Sequence, residues 1–175
     1  MTVPWTGFPL AALVKMAQPL GSAKYIQFQT IQDDKHMPGL ADSLYPWPYI
    51  EAVTIEEAMN PLAFMSTGLF GRPLTPQNGG PVRLTLPWKY GFKSGKAVTK
   101  ISFVEKRPKT FWAEINPDEY GFWANVNPAV PHPRWSQARE RLIGTDDIVP
   151  TQIYNGYGAQ VASLYANMSN ENLFR

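Results

Sequence analysis

The chain has 175 residues, 44% hydrophobic and 13% aromatic, with a formal net charge of +2, which is enough for one packed core and too little to expect two domains. No apolar run reaches the roughly 18 residues of a membrane span, and the first twenty residues lack the basic start and small-residue cleavage site of a secretory signal. The absence of cysteine excludes disulfides and thiolate chemistry from these side chains, and two distant histidines, His36 and His132, do not make a metal site.

In "FPLAALVKMAQP", Pro9 and Pro19 bracket apolar residues at helical spacing, which predicts a short helix. "KYIQFQT" alternates Tyr25, Gln27 and Gln29 with Ile26 and Phe28 and predicts a strand ending at Thr30. Residues 32–49 carry four prolines or glycines and no period, so they read as a long loop. "TIEEAMNP" predicts a small helix with Thr54 as its cap, Glu57 at the capping-box position and Asn60-Pro61 as its end. "VRLTL" and "AVTKISFVEK" read as strands on either side of the loop "PWKYGFKSGK". Residues 117–133, rich in Pro and Asn, form a second long loop, "RWSQARERLIG" predicts a helix stopped by Gly144, and "GAQVASLYANM" reads as a last helix in preference to a strand. With no repeat and no clean linker, these elements predict a single α+β domain.

The charge is unevenly spread. From Arg72 to Lys109 there are nine cations against the single acid Glu105, while the remainder of the chain is acidic. A central basic segment between acidic flanks points to an anion site. The stretch "NGGPVRLTLPWKYGFKSGK", residues 78–96, sharpens this, because its four glycines let backbone N–H groups come close to an anion. It is not a nucleotide P-loop: the spacing differs, and Ala97 follows the lysine where a hydroxyl is required. Ser94, Gly95 and Lys96 suit a backbone nest for one phosphate, with the Lys96 ammonium as counter-charge; an ordinary turn with a surface lysine is the bland alternative. Arg83, early in its strand, has a planar fork suited to a phosphate or a polar ring edge. Asn78 before Gly79-Gly80 reads first as a turn-former.

Taken together, "VPWTGFPLAALV", "YIQFQT", "PLTPQNGGPVRLTLPWKYGFKSGK" and "PDEYGFWANVNPAVPHPRWSQARERLIG" resemble the molybdopterin-dependent sulfite oxidase superfamily, most closely its bacterial methionine-sulfoxide reductase branch. The resemblance implies an α+β fold, a mixed sheet with short helices of the sulfite oxidase-type molybdopterin-binding domain. It implies that Thr30, Asn78, Arg83 and the loop Ser94, Gly95, Lys96 contact a molybdenum-molybdopterin cofactor, with the cofactor phosphate at Lys96 and Arg83 toward the pterin. It further implies a periplasmic setting, oxidised periplasmic proteins as substrate and a haem-bearing membrane subunit as electron donor, with no nucleic acid. Asn78 stands where typical sulfite oxidases carry a histidine, and it fits the reductase branch instead.

In that superfamily a cysteine thiolate just before the segment matching "VPWTGFPL" binds molybdenum, and this chain has no cysteine. Residues 1–175 are therefore expected to be the C-terminal part of one molybdopterin-binding domain, incomplete at the N-terminus and inactive alone. Apolar surface is expected at Trp5, Phe8 and Leu10. The competing reading is a non-catalytic basic and aromatic module for single-stranded nucleic acid or another polyanion. There Trp88, Tyr90 and Phe92 share a strand face as a stacking platform among Lys89, Lys93 and Lys96.

Overall fold

The computed structural model describes residues 3–175. Its first strand, β1 (Trp5–Pro9), leads directly into helix α1 (Leu10–Ala17), which buries Leu10 and Val14 and ends at Gln18 in the left-handed region. Leu10 is fully buried, so the apolar surface expected at Trp5, Phe8 and Leu10 does not include it. β2 (Tyr25–Thr30) follows the expected alternation, with Ile26, Phe28 and Thr30 on the buried face. The loop after it runs to β3 (Ile50–Thr54) and contains one 3-10 turn, Pro38–Ala41.

Helix α2 (Ile55–Met59) starts as its sequence requires. The Thr54 hydroxyl accepts from the Glu57 amide at 3.1 Å, and the Glu57 carboxylate accepts from the Thr54 amide at 3.0 Å. β4 (Phe64–Leu69) pairs with β1 along one edge and, on the other, with the two-residue β5 (Arg72–Pro73) and with β6 (Arg83–Thr85). β7 (Val98–Val104) pairs with β2, whose other edge carries β3. All these pairings are antiparallel. The α+β class of short helices on sheets therefore holds, with two small sheets sharing one core. Ile26, Phe28, Met65, Leu84, Leu86, Trp88 and Trp123 lie in that core.

The two strands flanking the glycine-rich loop thus belong to different sheets, and residues 86–97 form the bridge between them. After β7 come α3 (Phe111–Ile115) and the loop through Pro133, then a hairpin, β8 (Arg139–Arg141) and β9 (Ile148–Pro150). The hairpin replaces the helix expected over "RWSQARERLIG". Its apolar residues do not reach the core: Trp135 and Leu142 are exposed and Ile143 is 67% exposed, so no buried face rewards a helix. Gly144, at φ 104°, turns the chain instead of capping it. α4 (Gly158–Val161) and the 3-10 turn after it bury Val161 and Tyr165, as the last-helix reading expects.

Candidate functional site

The bridge between the sheets forms one wall of a cavity of about 440 Å³. Thr30, Ser94, Gly95 and Lys96, four of the six site residues expected from sequence, line it together. Asn78 and Arg83 are not among its lining residues: Asn78 directly follows Pro76 and Gln77, which are, and Arg83 is tied to Asn78. Asn78 ends a 3-10 turn, Pro76–Asn78, that Thr75 caps, and its carbonyl accepts from an Arg83 Nη at 3.1 Å. The Arg83 guanidinium lies over the Trp5 ring at 4.9 Å, and its Nε is buried without a partner among the described residues. Burial pulls the Arg83 guanidinium below its ordinary pKa.

The loop is fastened at several points while two of its amides stay free. The Gly95 carbonyl accepts from the Leu84 amide at 2.9 Å, the Ala97 amide donates to Gly79 at 3.0 Å, and the Ser94 hydroxyl accepts from the Leu86 amide at 3.2 Å. The amides of Gly95 and Lys96 donate to no backbone acceptor among the described residues. Two consecutive free N–H groups beside a lysine are what a bound anionic oxygen requires. A Cβ on Gly95 would find only the Thr30 methyl, at 3.8 Å, so that side is open. Gly79 is different: at φ 97°, a Cβ there would lie 2.8 Å from the Lys96 side chain. Only glycine lets that side chain lie across the turn, where its Nζ donates to the Gln77 carbonyl at 3.1 Å.

Beyond this polar end the cavity is walled by Trp47, Tyr49, Phe92 and Trp112; of these the sequence points only to Phe92, and there as part of a stacking platform. Trp47 Nε1 is a second buried donor without a partner among the described residues. The aromatic density of "YPWPY" was the available signal, and it falls in a stretch that reads only as loop.

Two cations counted toward the anion site are not available to it. Lys89 and Lys93 are buried, with Lys89 Nζ 2.5 Å from a Glu57 oxygen and Lys93 Nζ 2.5 Å from a Glu51 oxygen. Trp88 is fully buried, and its indole N–H donates to the Tyr165 hydroxyl at 2.7 Å. Residues 88–93 are turn and irregular backbone with an isolated bridge from Lys89 to Asn125, followed by a 3-10 segment, Gly91–Lys93, with no strand among them. The stacking platform of Trp88, Tyr90 and Phe92 is therefore not formed, and the polyanion-module reading loses its support.

A smaller cavity of about 220 Å³ opens on the other side of Gly91 and Phe92, among Tyr90, Tyr120, His132, Trp135 and Gln137. His132 stacks on Trp135 with ring centroids 3.5 Å apart and lies 3.2 Å from a Glu119 oxygen. None of the six expected site residues lines it. Among the described residues no cluster of His, Cys, Asp and Glu could hold a metal ion, and no helix is long and apolar enough to cross a membrane.

The model of the family described as the oxidoreductase molybdopterin binding domain matches residues 1–112. The chain belongs to that family. Every residue lining the larger cavity falls within the matched span of this molybdopterin-binding domain. Two similar curated proteins, from Pseudomonas syringae pv. tomato and Burkholderia mallei, are each named protein-methionine-sulfoxide reductase catalytic subunit MsrP. Each is 51% identical to this chain, over 97% and 99% of it respectively. The chain spans about half the length of these relatives, 52% and 54%. Among solved structures, the sulfane dehydrogenase SoxCD of Paracoccus pantotrophus is similar over 58% of this chain and 23% of its own. That likeness has 20% identity and a TM-score of 0.47. Molybdopterin is the cofactor that membership of the family implies.

Proposed function

We propose that the larger cavity receives the phosphate and pterin of a molybdenum-molybdopterin cofactor, in an enzyme that reduces methionine sulfoxide in proteins. The observation that carries the reading is the pair of free amides at Gly95 and Lys96 beside the Lys96 ammonium, at the polar end of an otherwise aromatic cavity. The donors present suit such a group: backbone N–H groups and an ammonium for a phosphate, and the unpartnered Arg83 Nε for a polar ring edge.

When bound, the cofactor supplies two-electron oxygen-atom-transfer chemistry. This chain's own share is binding and orientation. Gly95 and Lys96 hold the anionic end, Thr30 closes the opposite wall, and Asn78 holds Arg83 by its carbonyl. Trp47, Tyr49, Phe92 and Trp112 keep water from the remaining walls. The substrate, oxidised periplasmic protein, and the electron donor, a haem-bearing membrane subunit, belong to the same proposal. The chain contains no cysteine, so the thiolate implied for molybdenum is not among its side chains, and sulfoxide reduction by these 175 residues alone is not expected.

The test is cofactor content. In a form of the protein that carries the cofactor, Lys96→Ala and Arg83→Ala should each lower bound pterin and molybdenum, because a charge-assisted hydrogen bond contributes about 1.5–3 kcal/mol. Lys35→Ala, in the acidic loop, should leave both unchanged. Equal content in all three variants would remove the assignment.

A further inference from the structure

The buried pair of Glu51 and Lys93 has no part in the site just described, yet it sits immediately before the free amides. Both side chains are fully buried, and their charged atoms are 2.5 Å apart. Desolvation makes such a pair a poor device for stability, since apolar side chains of similar volume often stabilise a core as well or better. The second Glu51 oxygen, Oε1, has no partner among the described residues, and burial pushes this carboxyl above its ordinary range even though Lys93 draws it back. What the pair does supply is direction, because it fixes where residue 93 must lie.

A second contact acts on the same turn. Tyr49, two residues before Glu51 and on the same face of that extended stretch, donates its hydroxyl to the Phe92 carbonyl at 2.5 Å. The Tyr49 carbonyl in turn accepts from the Thr30 amide at 3.0 Å. One stretch of chain, residues 49–51, thereby holds Phe92 and Lys93 on one side and Thr30 on the other. These residues lead into, or form, the two walls between which Gly95 is open.

We propose that Glu51 and Tyr49 are positioning residues that set the separation of the two cavity walls and hold the Gly95 and Lys96 amides oriented toward an anionic oxygen. This rests on the cofactor reading above. Loss of the clamp lets the segment 91–96 open locally while the backbone ladders of β2 with β3 and β7 stay paired.

The experiment compares Glu51→Gln, Tyr49→Phe, the apolar swap Glu51→Leu with Lys93→Met, and Lys96→Ala. Each is read by amide hydrogen exchange along the folded chain and by pterin content of the cofactor-carrying protein. Exchange at residues 91–96 should rise about tenfold in Glu51→Gln and Tyr49→Phe, with β2 and β7 unchanged. Pterin should fall in both as it does in Lys96→Ala. The apolar swap should keep the thermal midpoint yet still show fast exchange at 91–96 and low pterin, since it restores packing without restoring direction. A swap with normal loop protection and normal pterin would show that the pair only fills space, and would overturn the proposal. Pterin lost by Lys96→Ala but retained by Glu51→Gln and Tyr49→Phe would overturn it while leaving the cofactor reading intact. Pterin retained by Lys96→Ala would overturn the cofactor reading and the positioning role with it. If Glu51→Gln does not fold, Tyr49→Phe decides, because it removes one hydroxyl and leaves the charges paired.

Discussion

At Lys89 a single ammonium meets three acceptors. Its Nζ lies 2.5 Å from Glu57, 2.7 Å from the Trp123 carbonyl and 2.9 Å from the Asn125 side-chain oxygen, so each of its protons has a place. Glu57 is equally engaged, accepting also from the Tyr165 hydroxyl at 2.6 Å and from the Thr54 amide. Even so, complete burial pulls the Lys89 pKa down to about 8, with the Glu57 carboxylate working in the other direction. Because this folded value lies below the unfolded lysine value of about 10.4, the unfolded chain binds more protons between the two, and stability rises with pH across that window. Below about pH 8 lysine is charged in both states, and the slope from this residue vanishes. Thermal midpoints of the wild type minus those of Lys89→Met should therefore increase from pH 8 toward pH 10. A flat difference would mean that the pairing offsets the burial completely.

Among the elements, those marked by local chemistry were legible in the sequence. Thr54 and Glu57 announce α2 because both halves of the capping box are within three residues of each other. Tyr25–Thr30 announces β2 because its period of two matches one buried face. β1 and β4 were not visible, since their pairing joins residues some sixty positions apart and neither carries a clean alternation. At the candidate site, glycine and charge in the sequence point to Ser94, Gly95 and Lys96, which line the cavity. The aromatic walls could not be read as walls, because they come from Trp47, Tyr49, Phe92 and Trp112, brought together only by the tertiary fold. The sequence of the hairpin β8–β9 reads as a helix because Gly144 signals equally a helix end and a turn. Its φ of 104° gives a direct check, as a side chain there is strained. Gly144→Val should speed amide exchange in residues 139–150 while shifting the global thermal midpoint only slightly, since the hairpin stands on the surface. Equal loss of protection in β2 would place the hairpin within the cooperative core.

At the scale of the molecule, the basic segment is less basic outside than its composition suggests. Of its nine cations, Lys89 and Lys93 are enclosed, and the carboxylates that neutralise them, Glu57 and Glu51, come from the acidic flank. The asymmetry that first suggests an anion site is thus partly an internal connection that ties the segment 89–93 to α2 and β3. The exposed remainder includes Lys96, Lys100, Lys106 and Lys109. That division can be seen without any cofactor. An amine-acylating reagent applied to the native chain should modify these four within minutes, and mass spectrometry of the digest should find Lys89 and Lys93 bare. Acylation of Lys93 at the rate of Lys100 would mean that the enclosure opens on the labelling timescale. If instead the two stay bare until denaturant is added, their appearance becomes a reporter of core opening, written in covalent mass by two residues of the same six-residue stretch, "PWKYGFK" less its proline.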